Sequence, residues 1–136
     1  MALVVDSAFV VALARARDDD HEAARAWMQT ADEDLVTSPL ALAEMDYLIG
    51  EYLGARGQRA LWSDLADGVY TVRWWADAVG EVVAVARRHP WIGLTDASLV
   101  ALAARVRTNR IVTFDDHFRS LTTPRGEPFV VLPADA

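Results

Sequence analysis

The sequence predicts an α/β fold on a central, mainly parallel sheet, and three observations carry that prediction. Short, continuous apolar runs such as Leu3-Val4-Val5 and Ile111-Val112 alternate with stretches of helical periodicity, the order in which helices cover a parallel sheet. Hydrophobic patterning continues from Leu3 to Leu132 with no repeat, low-complexity stretch or linker, so residues 1–136 read as a single domain. A chain of this length buries roughly 68–70% of its unfolded surface and holds a core without staples.

Residues 2–6 read as a buried first strand, and Ser7 to Arg17 as a helix capped by Asp6 or Ser7. A second helix follows Asp18-Asp19-Asp20, whose charge suits a helix N-terminus, and carries Ala23, Ala24, Trp27, Met28 and Ala31 on one face. Leu35 to Thr37 is the next strand. Ser38-Pro39 is an N-cap followed by an N1 proline, opening a helix to about Tyr52. Gly54 and Gly57 break the chain before a helix over Gln58 to Ala66, which Gly68 ends. Tyr70-Thr71-Val72 is a short strand. The helix from Asp77 to Arg88 has Val79, Val82, Val83 and Ala86 as its apolar stripe and stops at Pro90. Thr95 to Arg107 is a helix, Arg110 to Phe114 a strand, Asp116 to Ser120 a helical turn, and Phe129 to Leu132 the last strand.

Composition excludes several chemistries. Cysteine is absent, which removes disulfides and thiolate metal sites and fits a reducing cytoplasm. The N-terminus has no charged region ahead of its apolar run, and no apolar stretch approaches the roughly 20 residues that span a bilayer, so a cytoplasmic protein without membrane contact is expected. GxSxG, GxxxxGK[ST], GxGxxG and HExxH are all missing. All 13 basic residues are arginine, and 20 acids give a net charge of -7. That balance argues against nucleic-acid binding unless a cation inverts the charge of an acidic site and arginines gather along one groove.

Asp6, Glu44, Asp96 and Asp115 suggest such a site. Asp6 closes the first strand, Asp115 follows Ile111-Val112-Thr113-Phe114, and Asp96 opens a helix. Ligands of open α/β sheets bind at that edge. Singly, each of these three also reads as a helix N-cap. Glu44 lies within Leu40, Ala41, Ala43, Tyr47 and Leu48, a pattern expected to face the core, with no basic residue one helical turn away. A buried unpaired carboxylate is too costly to leave alone. A divalent cation satisfies it, and oxygen ligands favour Mg²⁺ or Mn²⁺ and a phosphate-bearing substrate, pointing to phosphodiester hydrolysis. His117, close behind Asp115, reads as a proton donor or, more simply, as a solvent-facing residue of a short helix.

With Val4-Val5-Asp6-Ser7-Ala8 at the start, Ser38-Pro39 leading to Ala43-Glu44, Thr95-Asp96-Ala97 in the centre and Thr113-Phe114-Asp115 before the last strand, the chain resembles the PIN-domain ribonucleases, specifically the VapC toxins of type II toxin-antitoxin pairs. The resemblance implies a PIN-like three-layer α/β/α sandwich. It places Asp6, Glu44, Asp96 and Asp115 as catalytic acids, with Asp6, Asp96 and Asp115 on the metal and Ser7 in support. Asp116 beside Asp115 leaves open which of the two meets the cation, and Thr95 stands where many relatives carry a smaller residue. The implied activity is a Mg²⁺-dependent endoribonuclease that cuts structured RNA (tRNA or rRNA) to arrest translation, is restrained by a cognate antitoxin and forms a homodimer. Two alternatives remain: a metal-dependent DNA nuclease or phosphatase on the same fold, and an inactive PIN-like protein-binding module. Trp27 and Trp62, on neighbouring early helices, read either as core or as walls of an apolar groove for an antitoxin segment.

Overall fold

The computed structural model describes residues 1–136. Its elements in chain order are β1 (Ala2–Val5), α1 (Ser7–Ala14), α2 (His21–Thr30), β2 (Asp34–Thr37), α3 (Pro39–Ala66), β3 (Thr71–Val72), α4 (Ala78–Arg88), α5 (Gly93–Arg105), β4 (Arg110–Val112), a 3-10 turn (Asp116–Ser120) and β5 (Val130–Leu132). The five strands form one sheet in the order β3-β2-β1-β4-β5, every pair parallel. Helices cover both faces, giving a three-layer α/β/α sandwich. Leu3, Val4, Val5, Ile111 and Val112 are wholly buried, which accounts for strands that read as unbroken apolar runs rather than alternating ones.

β1 is the centre of the sheet. The chain builds outward from it through β2 and β3 on one side, then crosses to β4 and β5 on the other. The sheet therefore reverses its direction of growth between β1 and β4, and a crevice opens at the carboxyl ends of those strands. Asp6 extends the β1–β4 ladder by one rung, its N–H donating to the Val112 carbonyl at 3.2 Å.

Several elements differ from the sequence expectation. α1 ends at Ala14, three residues before Arg17, and the Arg15 N–H closes it on the Val11 carbonyl. Of the two glycine breaks expected between Tyr52 and Gln58, only Gly54 leaves helical geometry, at φ 68° and ψ -166°. Gly57 stays helical, and its lack of a side chain serves packing rather than a break: a Cβ there would lie 2.5 Å from the Leu53 Cβ. The chain after Gly54 folds back on the first half of α3, so the Gln58 Nε2 donates to the Asp46 carbonyl at 3.2 Å and the Trp62 Nε1 to the Asp46 carboxylate at 2.7 Å. The buried stripe of α4 is Ala78, Val82 and Val85, while Val79 is 63% exposed. On α3 the core face is Ala41, Met45 and Ile49, an i, i+4, i+8 row, and Tyr47 points out to solvent. Glu44 sits beside that row, half-buried, and not within it.

Candidate active site

The crevice above β1 and β4 is an open cleft of about 360 Å³, and Asp6, Ser7, Glu44, Asp96 and Asp115 all line it. Each arrives by a different local device. Asp6 is the N-cap of α1: its backbone is extended and its Oδ1 accepts the Ser7 N–H at 2.8 Å. Its Oδ2 accepts the Thr113 hydroxyl at 2.6 Å, while the Thr113 Oγ1 accepts the Asp115 N–H at 2.9 Å. Thr113, buried at the end of β4, thus ties the first acid to the backbone of the last, a role the sequence reading missed.

Glu44 reaches the cleft from the first half of α3 and accepts a hydrogen bond from the Ser7 hydroxyl. α3 is in turn anchored at its start. The Ser38 Oγ accepts the Ala41 N–H at 3.1 Å and meets the Ser98 Oγ of α5 at 2.7 Å, both serines fully buried. That contact sets α3 against α5 and brings Glu44 and Asp96 to the same opening. Asp96 lies in the first turn of α5 but is not its cap, since Ile92 holds that position without a side-chain bond. The capping explanation therefore fails for Asp96, whereas Asp6 and Asp115 do cap, Asp115 by accepting the His117 N–H at 2.9 Å. Asp116 is exposed and does not line the cleft, which leaves Asp115 as the acid of that pair facing it.

His117 is not a simple solvent-facing residue. Its Nδ1 lies 2.9 Å from the Asp96 Oδ2 and 3.2 Å from the Asp115 Oδ1, and the Trp91 ring meets its edge at 5.7 Å. Ligand atoms of Asp96, Asp115 and His117 all fall within 4.8 Å of one another. A histidine two residues after a cleft acid, in the first turn of a short helix, was the available signal.

The electrostatics follow from crowding acids at a sheet edge. Burial pushes the Asp6 carboxyl from 3.8 up to about 7, with the Asp96 and Asp115 charges adding to it and the bonds from Thr113 and Ser7 opposing it. Burial also raises Asp96, against the opposing hydrogen bond from His117, and Asp115 and Glu44 raise it further. His117 moves up from its ordinary value, chiefly through its bond to Asp96 and then through the charge of Asp115. Such a donor set, carboxylate oxygens with one imidazole and an excess of negative charge, fits a divalent cation that offsets the repulsion.

The two tryptophans part company. Trp27 is partly buried, with its ring edge-on to Phe9 at 5.3 Å, and belongs with the core. Trp62 is 52% exposed and lines a shallow surface cleft of about 320 Å³ with Pro39, Leu42 and Leu65. Trp27 thus packs inward while Trp62 lines a surface cleft without it, so the two do not share that groove. No helix is long and apolar enough to cross a membrane.

Comparison with known proteins matches residues 3–123 to the PIN domain family. The chain is 31% identical over 137 residues to Ribonuclease VapC26 of Mycobacterium tuberculosis, covering 96% of this chain and all of that one. Among solved structures, the M. tuberculosis toxin VapC20, described as cleaving the sarcin-ricin loop, superposes with a TM-score of 0.78 at 23% identity, over 85% of this chain and 91% of the other. A toxin-antitoxin complex from Klebsiella pneumoniae matches with a TM-score of 0.66 at 16% identity, over 89% of this chain and 93% of the other. VapBC2 of Rickettsia felis, bound to a fragment of its promoter DNA, gives 0.65 at 14%, over 96% of this chain and 97% of that one.

Proposed function

The chain belongs to the PIN-domain family, and from that premise we propose that it is a metal-dependent endoribonuclease of the VapC kind, the toxin of a toxin-antitoxin pair. The observation that carries this reading is the gathering of Asp6, Glu44, Asp96 and Asp115 in one open cleft at the switch point of the sheet. Asp96 and Asp115 would hold Mg²⁺ or Mn²⁺, with Asp6 behind them completing the negative charge. The cation, when bound, supplies positive charge against a phosphodiester oxygen and makes water a better nucleophile.

The chain's own groups do the rest. Glu44, oriented by the Ser7 hydroxyl, is placed to take a proton from the attacking water. The His117 Nδ1 faces Asp96 and Asp115, whose bond and charge raise its pKa in the metal-free protein. With a cation on those acids, its imidazole is the group beside the site that would exchange a proton with the departing oxygen. Thr113 keeps Asp6 and Asp115 in register. The partners in this proposal are structured RNA as substrate, a cognate antitoxin, and a second copy of the chain as homodimer, in the cytoplasm. The antitoxin is supported by the toxin-antitoxin complexes among the structural neighbours, and exposed Trp62 is the anchor offered to it, Trp27 being taken up by the core.

The test is cleavage of a structured RNA with Mg²⁺, with EDTA, and with Glu44→Gln or Asp96→Asn. Cleavage should need the metal and vanish in both variants while the fold persists. Full activity of purified protein in chelator would overturn the mechanism. Steady hydrolysis of a small phosphoester or of DNA with no cut in RNA would transfer the same site to the alternative substrates.

A further inference from the structure

The cleft that gathers the acids also holds one cation of the protein's own. Arg15 lines it with six carboxylates, those of Asp6, Asp18, Asp20, Glu44, Asp96 and Asp115. An arginine in such company is expected to pair with an acid. Arg15 does not. No carboxylate comes within ion-pair distance of it, and its guanidinium instead lies over the Tyr52 ring, 4.3 Å from the centroid. Stacking of this kind fixes the plane of a guanidinium without using its N–H donors. Arg15 is half-buried at the end of α1, nine residues beyond Asp6, about 13 Å along the helix axis. A guanidinium held on an aromatic ring therefore lines the same cleft as the acids, with no carboxylate at ion-pair distance to occupy its donors.

We propose that Arg15, held on Tyr52, is a docking residue for a non-reacting phosphate of single-stranded RNA threaded into the cleft, an inference that rests on the ribonuclease reading above. The electrostatics require something of the kind. A polyanion approaching a molecule of net charge -7 meets repulsion everywhere except where positive charge is exposed, and a cation held among the acids answers only the phosphate at the cut. Arg15 answers the next one. It is assigned no part in bond cleavage, because it lines the cleft without pairing to any of the acids.

The probe is a fluorescein-labelled RNA hairpin with an unpaired loop, bound in Mg²⁺ to protein silenced by Glu44→Gln and read by fluorescence anisotropy across a salt series. Adding Arg15→Gln should weaken binding about tenfold, the scale of one charged hydrogen-bonded contact. It should also make the slope of log affinity against log salt shallower by about 0.7, the counterion share of one single-strand phosphate. Arg15→Lys should keep the slope and lose part of the affinity, since charge survives while the stack and the fork do not. Tyr52→Leu should behave like Arg15→Lys. Arg125→Gln, which removes the same charge away from the cleft, should change neither quantity, and the melting shift produced by Mg²⁺ should be the same with Arg15→Gln as without it. Unchanged affinity and slope in Arg15→Gln, while the unsilenced wild type cuts the hairpin, would overturn this inference alone. A loss of affinity that merely tracks a loss of folded protein would make the stack a brace between α1 and α3 and overturn it too. Absence of both binding and cleavage in the wild type would take down the ribonuclease reading, and this inference with it.

Discussion

Replacing Asp6 by Asn should stabilise the metal-free protein at alkaline pH, although it alters a buried, hydrogen-bonded N-cap. Asn keeps the cap, since its Oδ1 can accept the Ser7 N–H, but its Nδ2 can only donate to the Thr113 Oγ1, which reverses the present bond and leaves the buried Thr113 hydroxyl proton without its acceptor, at a cost of about 1–3 kcal/mol. What it removes is charge. Burial beside Asp96 and Asp115 lifts the native Asp6 carboxyl from 3.8 to about 7, so the native state holds a proton that the unfolded chain releases near its ordinary value. Between these two values the folded state binds more protons than the unfolded one, and stability falls as pH rises. At about 1.36 kcal/mol for each pH unit between them, the ionised carboxylate costs about 4 kcal/mol above pH 7 and nothing near pH 4. Net of the Thr113 cost, and for a chain of this size, that corresponds to a gain on the order of 5 °C in the Asn variant at alkaline pH. The assay is calorimetry of both proteins in EDTA at about pH 4.5, 6 and 8, followed by a Mg²⁺ titration. Wild type should recover stability as RT ln(1 + [Mg²⁺]/Kd), about 2.7 kcal/mol at a hundredfold excess over Kd, and the variant should recover less. Equal melting differences at all three pH values, or a less stable Asn variant in EDTA at pH 8, would refute the reasoning.

Three further changes probe separate parts of the structure. Thr113→Val removes the hydroxyl that donates to Asp6 and accepts the Asp115 N–H; chemical denaturation should show a loss of about 1–3 kcal/mol, and the Mg²⁺-induced melting shift should shrink with it. His117 should titrate above its ordinary value of 6.5 in EDTA, because its Nδ1 faces Asp96 and Asp115, and adding Mg²⁺ should bring it down as the metal takes up the charge of those acids; a nuclear magnetic resonance titration that is indifferent to Mg²⁺ would separate His117 from the cation site. Gly57→Ala should destabilise by about 1–3 kcal/mol, reversing the usual sign of a helical glycine replacement, because the new Cβ would sit 2.5 Å from the Leu53 Cβ.

Much of the fold was legible because its signals are local. Valine and isoleucine runs flanked by helical periodicity specify a parallel sheet almost regardless of context, and Ser38-Pro39 marks the start of α3 in a way that tertiary contacts do not change. The errors cluster where two surfaces compete for a helix. In the expected stripe Val82 is buried and Ala86 packs partly against the core, but Val79 looked as apolar as Ala78 and Val85, and only the packing of α4 on α5 buries those two and leaves Val79 in solvent. The same holds for Glu44: Tyr47 and Leu48 suggested one buried face, whereas the small residue Ala41 with Met45 and Ile49 supplies it. Gly57 was misread for a related reason, since a glycine that ends a helix and one that admits a neighbouring side chain look alike in sequence.

The site divides along the same line. Asp6 and Asp115 were legible because a carboxylate that ends a buried strand has few places to go, and the ladder from Asp6 to Val112 joins the two strand ends. Both also cap, so capping and cleft-lining are compatible duties of one side chain and the choice posed between them was false for these two. Asp96 resolves that choice in the other direction: it caps nothing, accepts a bond from His117, and is raised by burial and by the acids around it. A half-buried acid with no capping duty, set among other acids, is hard to explain by local stability. That makes Asp96 the residue where metal binding and fold stability can be pulled apart. Asp96→Asn should leave the metal-free melting temperature unchanged or raise it, because repulsion from Asp115 and Glu44 is relieved, and it should blunt the stabilisation that Mg²⁺ gives the wild type. Asp96→Ala, which also discards the His117 partner, should blunt it equally without the cost of about 0.5–2 kcal/mol that loss of a cap would bring. Melting curves of the three proteins across millimolar Mg²⁺ decide the matter, and a wild type whose curve never moves would leave the shared cation without support.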